Sequence, residues 1–268
     1  MSKCSIIIVN YNTGDMLNQV VTKIIDCYSV ESVIVVDNNS KDESMKLLQP
    51  HEKLQIIIRK ENHGFAKSCN YGAKYTQSES LLFLNPDCLI ECKDLDLLLI
   101  DLNNNEKTGI VGCMVQNPDG TEQRASRRRL PTLIRSIKTF SGIEKMAKFF
   151  HGFAGVNMNH LHAPNKNQSV EAISGAFILI KYNVFKKLNG FDEKFPLHFE
   201  DLDLFKRCLN IGNRIIFNPN VNAIHFQGLS SQSNPQVAVF KKMGLQRYFH
   251  KHCTFFSYMI IKIFNKLT

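Results

Sequence analysis

The chain has 268 residues, 44% of them hydrophobic and 21% charged, with 33 Lys/Arg against 24 Asp/Glu for a net charge of +9. That balance suits one large α/β domain or two small ones with a full core, and it excludes a disordered or fibrous chain. The charge is uneven: residues 1–120 hold 11 Lys/Arg and 16 Asp/Glu, whereas residues 121–268 hold 22 and 8, so the second half points to a polyanionic partner such as nucleic acid, anionic lipid or a phosphorylated substrate.

Eight cysteines (Cys4, Cys27, Cys69, Cys88, Cys92, Cys113, Cys208, Cys253) are scattered without a C-x-x-C pair, several inside apolar runs. This predicts reduced core thiols in a cytosolic protein. The apolar run Ser5 to Val9 is too short for a signal-peptide core, and no segment reaches the roughly 18 apolar residues of a spanning helix. The expectation is a chain that crosses no bilayer.

Ser5 to Val9, Val33 to Val36, Leu54 to Ile58 and Leu81 to Leu84 are apolar, largely β-branched runs at intervals that leave room for a helix. Helical spacing fills the gaps at Met16 to Ile25 and Phe65 to Tyr75, and Leu95 to Leu102 follows. Alternation of this kind predicts right-handed βαβ crossovers and a mainly parallel sheet. Each strand ends in polar residues: Asn10-Tyr11-Asn12, Asp37-Asn38-Asn39-Ser40, Arg59 to Gly64, and Asn85-Pro86-Asp87. Strand ends of an open α/β sheet are where ligands bind. Asp37 suits the base or ribose of a nucleotide and equally suits a helix cap; Asp87 after Pro86 is placed for chemistry or for an Asx-turn. Neither G-x-G-x-x-G nor a P-loop follows the first strand, which disfavours dinucleotide binding. Gly64 and Gly72 flank Asn70, and glycine permits close backbone approach to a ligand or simply a turn.

Ile110 to Val115 reads as a fifth strand, followed by the turn Asn117-Pro118-Asp119-Gly120. Arg124 to Arg129 is a basic cluster, either a solvated face or a site for pyrophosphate. Residues 135–168 predict a mobile loop or short helices. Ala172 to Ile180 reads as one strand with Gly175 at a point of close approach, and Glu200, Asp201 and Asp203 open a helix whose dipole favours them. Arg214 to Phe217 and Asn222 to Ile224 read as two short strands, the second delivering His225.

Eight stretches in order resemble family 2 glycosyltransferases of GT-A fold, closest to the bacterial rhamnosyltransferase-like members: Val9 to Asn12, Val35 to Ser40, Asn62 to Phe65 with Asn70-Tyr71-Gly72, Leu84 to Asp87, Ser174 to Phe177, Gly190 to Glu193, Phe199 to Leu204, and His225 to Ser230. The resemblance implies a mixed, mainly parallel nucleotide-binding sheet over residues 1–231, with a nucleotide half (1–120) and an acceptor and catalytic half (121–231), then a basic amphipathic helical tail (232–268). It implies nucleotide-sugar contacts from Asn10, Tyr11, Asn12, Asp37, Asn39, Asn62, Gly64, Asn70, Asn85 and Gly175. Glu200 and Arg128 would lie on the acceptor and phosphate side, Asp201 would be the catalytic base, and Asp87 with His225 would hold a divalent cation, Mg²⁺ or Mn²⁺. Asn85 stands where the family's D-x-D motif has its first Asp, the aromatic residue that often precedes Ser-Gly-Ala is Ala172, and the chain has no Trp.

The activity implied is inverting transfer of rhamnose or a hexose from a dTDP- or UDP-linked donor to a glycan or lipid-linked acceptor in cell-surface polysaccharide synthesis. Rival readings are a sugar nucleotidyltransferase, which needs a Gly-rich basic loop that Asn10 to Gly14 does not supply, and a non-catalytic carbohydrate- or nucleic-acid-binding protein. The tail interleaves cations with Phe255 to Phe264. It predicts either peripheral contact with the cytoplasmic face of the inner membrane or a helix closing over the domain.

Overall fold

Apolar runs that end in polar residues build the centre of the sheet. The computed structural model describes residues 2–148, 151–226 and 235–267. In chain order the first half is β1 (Cys4–Asn10), α1 (Met16–Ile24), β2 (Val30–Asp37), β3 (Leu54–Ile58), α2 (Phe65–Gly72), β4 (Ser80–Leu84), β5 (Cys88–Leu89), α3 (Cys92–Asn103) and β6 (Thr108–Gln116). The second half is β7 (Arg127–Arg128), α4 (Leu133–Phe140), β8 (Gln168–Val170), β9 (Ala172–Ile173), β10 (Phe177–Lys181), α5 (Tyr182–Lys187), α6 (Glu200–Asn210), β11 (Arg214–His225), α7 (Pro235–His252) and α8 (Phe255–Leu267).

The main sheet runs β3-β2-β1-β4-β10-β6-β11-β5, with β8 beside β11. β3, β2, β1 and β4 are parallel, β10 is antiparallel to β4 and to β6, and β11 is parallel to β6. The sheet is therefore the mixed, mainly parallel one of the GT-A fold. β1 is buried on both faces, as a central parallel strand must be. Leu17, Val20, Val21 and Ile24 of α1 and four leucines of α3 cover one face. Side chains of α2, α5, α6 and α7 cover the other.

Several expectations are revised by long-range contacts. The run Ala172 to Ile180 breaks at Ser174-Gly175: β9 joins β7 in a separate two-stranded sheet, and β10 enters the main one. The two short strands after residue 213 are one twelve-residue strand, with a register shift between Asn218 and Asn222 that accommodates Pro219. Phe65 to Tyr75 is an α-helix that tightens into a 3₁₀ turn at Ala73–Tyr75. Residues 135–168 hold short helices, including 3₁₀ turns at Ile143–Lys148 and His151–Phe153.

The cysteines are not all reduced: Cys27, just past α1, is disulfide-bonded to Cys92, the first residue of α3, and the other six are free. Their separation of 65 residues hides the pair from any spacing rule. The tail does not hang free either. Leu245, Tyr248 and Phe249 of α7 are buried in the core. Arg247 and Lys251 reach Asp192 at 2.6 and 2.8 Å, and Lys251 and His252 reach Asp203 at 2.7 Å each. Among the described residues no helix is long and apolar enough to cross a membrane. The 231/232 boundary and Gln227 to Ser230 of the last motif lie outside the described residues.

Candidate active site

β1 and β2 pair in register to their last residues, so Asn10 and Asp37 arrive side by side. The Asn10 amide donates to Asp37 Oδ1 at 2.8 Å, and Asp37 also accepts from the Ser40 backbone N–H at 3.0 Å. Asn12 and Asn39 adopt left-handed backbone conformations (φ 53° and 65°), which Asn tolerates. Asn12 takes the Lys41 N–H at 2.7 Å and donates its own N–H to Ser40. The two strand-end loops are thus laced into one rim, with Tyr11 exposed on it. Gly64, at φ 80°, begins α2 and receives support from Asn62 Oδ1 at 2.9 Å; a Cβ there would stand 3.1 Å from the Pro196 carbonyl. Asn70 does something else. Its amide donates to the Phe191 carbonyl at 2.9 Å and to Glu193 at 3.0 Å, and its oxygen accepts the Phe191 N–H at 2.8 Å. It pins the Gly190 to Glu193 turn, so its hydrogen-bonding groups are committed away from a nucleotide.

Asp87, next to the end of β4, meets His225, the last residue of β11, because β5 pairs with that strand end. His225 Nε2 lies 3.1 Å from Asp87 Oδ1 and 3.3 Å from the Asn85 amide, and all but Asn85 are buried. Gln123 fixes the ring: its amide N–H donates to the His225 carbonyl at 2.7 Å, which turns its oxygen toward Nδ1 at 3.0 Å. With Nδ1 directed at that oxygen, Nε2 is the ring nitrogen left to face the Asp87 carboxylate. Two Lewis bases facing each other fit a shared cation. Among the described residues no group of three or more His, Cys, Asp or Glu side chains converges, so further ligands would come from phosphate or water. Gln123 carries no local signal in the sequence; it stands 102 residues from its partner.

The segment Ser174-Gly175-Ala176 links this pair to α6. The Ala176 carbonyl accepts the Asn85 N–H at 2.9 Å, and one residue earlier a Cβ on Gly175 would come within 2.7 Å of Asp201 Oδ2. Only glycine lets the carboxylate approach so closely. Arg128 is buried, not solvated: β7 places its guanidinium on the Ile173 carbonyl and on Asp201 Oδ2. The Leu202 N–H caps Asp201 Oδ1 at 2.7 Å. Glu200 is buried with Oε2 unpartnered. Burial pushes its carboxyl up to about 8, and the neighbouring Asp201 adds to this. Asp203 points away, taking Arg207 Nε at 2.8 Å as well as the α7 cations. The three acids thus divide as their helical spacing requires.

What sets the start of α6 is a strained pair: His198 and Phe199 both have positive φ, 64° and 70°. α7 lies against them, and a Cβ on Gly244 would stand 2.6 Å from the His198 carbonyl.

Known proteins carry the same frame. The chain is 26% identical over 234 residues to the low-salt glycan biosynthesis hexosyltransferase of Haloferax volcanii, covering 83% of this chain and 67% of that one. It is 23% identical over 230 residues to rhamnosyltransferase WbbL of Escherichia coli K12, covering 82% of each. Among solved structures it resembles a mannosyltransferase of Pyrobaculum calidifontis in complex with GDP-Man and Mn²⁺ (15% identity, TM-score 0.63, 93% of this chain) and GalNAc-T7 with UDP, GalNAc and Mn²⁺ (14%, 0.68, 92%). It spans 63% and 48% of the length of those two chains. Residues 5–187 match the family model for glycosyl transferase family 2, a stretch that includes Asp37, Asp87, Arg128 and Gly175, and the chain belongs to that family.

Proposed function

We propose that the protein moves rhamnose or a hexose from a dTDP- or UDP-linked donor to a hydroxyl of a glycan or lipid-linked acceptor, with inversion, while held peripherally on the cytoplasmic face of a membrane. The observation that carries this reading is the Ser174-Gly175-Ala176 bridge, which sets Asp201 beside the same strand ends as Asp87 and His225. Relatives named as rhamnosyltransferases, one of them an N-acetylglucosaminyl-diphospho-decaprenol L-rhamnosyltransferase of Mycobacterium tuberculosis, support the donor and acceptor classes.

In this reading the Asn10–Asp37 rim receives the nucleoside, and Asp87 with His225 would hold a divalent cation. That cation supplies neutralisation of the leaving diphosphate. Asp201 accepts the proton of the acceptor hydroxyl as its oxygen bonds to the anomeric carbon; the carbon–diphosphate bond breaks and the nucleoside diphosphate leaves with the electron pair. Arg128 and the Leu202 N–H hold the carboxylate in one orientation for that transfer.

A thermal-shift and hydrolysis screen of nucleotide sugars with Mg²⁺ or Mn²⁺ identifies the donor. Asp201→Asn keeps the shape and removes the basicity. It should lower turnover by roughly 10²-fold or more with donor affinity nearly intact. Near-normal turnover, or a larger loss in Glu200→Gln, moves the base elsewhere.

A further inference from the structure

α4 is built inside out. Ser136 faces the interior at 2% exposure, and Thr139 is turned inward onto Glu144 and the Val156 N–H, while Ile134 and Ile137 stand 66% and 48% exposed with Phe140 beside them. A helix on the surface of a globular protein places these residues the other way round. α8 does the same. Ile261 is buried and Asn265 donates to the Lys242 carbonyl at 3.1 Å, whereas Phe255 and Phe256 are 77% and 72% exposed and Ile263 lies on the same outer stripe. The helices meet at one edge, where Phe140 stacks on Phe264 with ring centroids 5.3 Å apart.

We propose that the outer faces of α4 and α8 form one apolar platform that lies in the headgroup region of an anionic bilayer. This deepens the peripheral membrane contact of the proposed transferase and rests on that reading. Charge selects the occupant. On and beside the two helices stand Lys138, Lys145 and Lys262, while Arg135 is paired with Glu171 at 2.7 Å and Glu144 is buried and paired with Arg124 at 2.7 Å. A second copy docked face to face would oppose these cations to themselves, whereas anionic lipid complements them. Lys138, Lys145 and Lys262 alternate with the apolar side chains, the pattern of a surface that seats hydrocarbon below and phosphate above. α7, whose apolar face is committed to the core, is not part of the platform.

The full chain should float with vesicles of phosphatidylcholine and phosphatidylglycerol and far less with phosphatidylcholine alone. Ile134→Ser/Ile137→Ser, which leaves α8 intact, and Phe255→Ser/Phe256→Ser should each reduce partitioning by roughly tenfold or more. Lys145→Glu/Lys262→Glu, which changes two exposed side chains and removes no buried group, should do so in a salt-dependent manner and covers the case in which a serine pair fails to fold. Donor hydrolysis without vesicles reports on the transferase reading alone and should stay at the wild-type level in all three. Flotation unchanged in the α4 pair overturns the platform. So does equal binding to neutral vesicles, or a dimer in sedimentation that the α4 pair dissolves while flotation persists.

Discussion

Gln123 grips His225 at two points, the carbonyl and Nδ1, and so determines which ring nitrogen is left for Asp87. Partners of this kind orient a ligand and set its tautomer. Gln123→Leu should weaken Mn²⁺ binding by about 10- to 100-fold, read by the electron paramagnetic resonance of free Mn²⁺. Gln123→Glu keeps an acceptor for Nδ1 and should recover part of the loss. Equal affinity in wild type and Gln123→Leu would remove the residue from the metal site.

Arg128 and Asp201 are a buried pair, and neither partner is well hydrated alone. Arg128→Leu should destabilise the fold by about 3–5 kcal/mol, the cost of leaving one charge buried. Arg128→Lys keeps the charge without the two-point contact to Ile173 and Asp201 and should lose turnover while retaining most of the stability. Urea titration alongside initial rates separates the two effects.

Glu200 has the opposite character. Because its carboxyl is raised in the folded state to about 8 from an ordinary value of 4.5, the native protein binds the extra proton between these limits. Stability should therefore fall as pH rises through that window. Glu200→Gln removes the titration, so it should gain on wild type by on the order of 2 kcal/mol between pH 5 and pH 8. Parallel denaturation curves at the two pH values for both proteins would contradict the assignment.

Asp203 anchors α7. Burial alone would raise its carboxyl, but hydrogen bonding from His252 and the charge of Arg207 outweigh this and hold it below the ordinary range. The contribution is thus present at neutral pH and is lost as pH falls through the lowered value. Asp203→Ala should cost about 3–5 kcal/mol and expose α7 to limited proteolysis ahead of the sheet. Resistance equal to wild type at pH 7 would show that apolar contacts alone hold the helix.

The strand ends were legible because polar residues close apolar runs: Asn10, Asp37 and His225 end β1, β2 and β11, and Asp87 stands three residues past β4. The helix that begins at Glu200 was legible from its run of acids, and the two-residue spacing, about 200° around a helix, separates Asp201 from Asp203. What local pattern does not encode is who sits across the gap. Gln123 meets His225 over 102 residues, Arg128 meets Asp201 over 73, and Cys27 meets Cys92 over 65. Asn70 carries a motif position yet spends its amide on Phe191, 121 residues on. α4 misleads in another way, since its apolar spacing reveals a face but not the side to which that face turns.

The contact of Gly244 with the His198 carbonyl bears on how the enzyme is born. Strands β1 to β4 need nothing beyond residue 84 to pair, so the Asn10–Asp37 rim is able to assemble while the rest of the chain is still being synthesised. The left-handed turn that aims Asp201 is buttressed only once α7 has emerged and docked. A product interrupted before that helix would contain all the strand-end carboxylates and still lack the buttress for Asp201. Competence then waits on a helix synthesised about 150 residues after the strand-end rim.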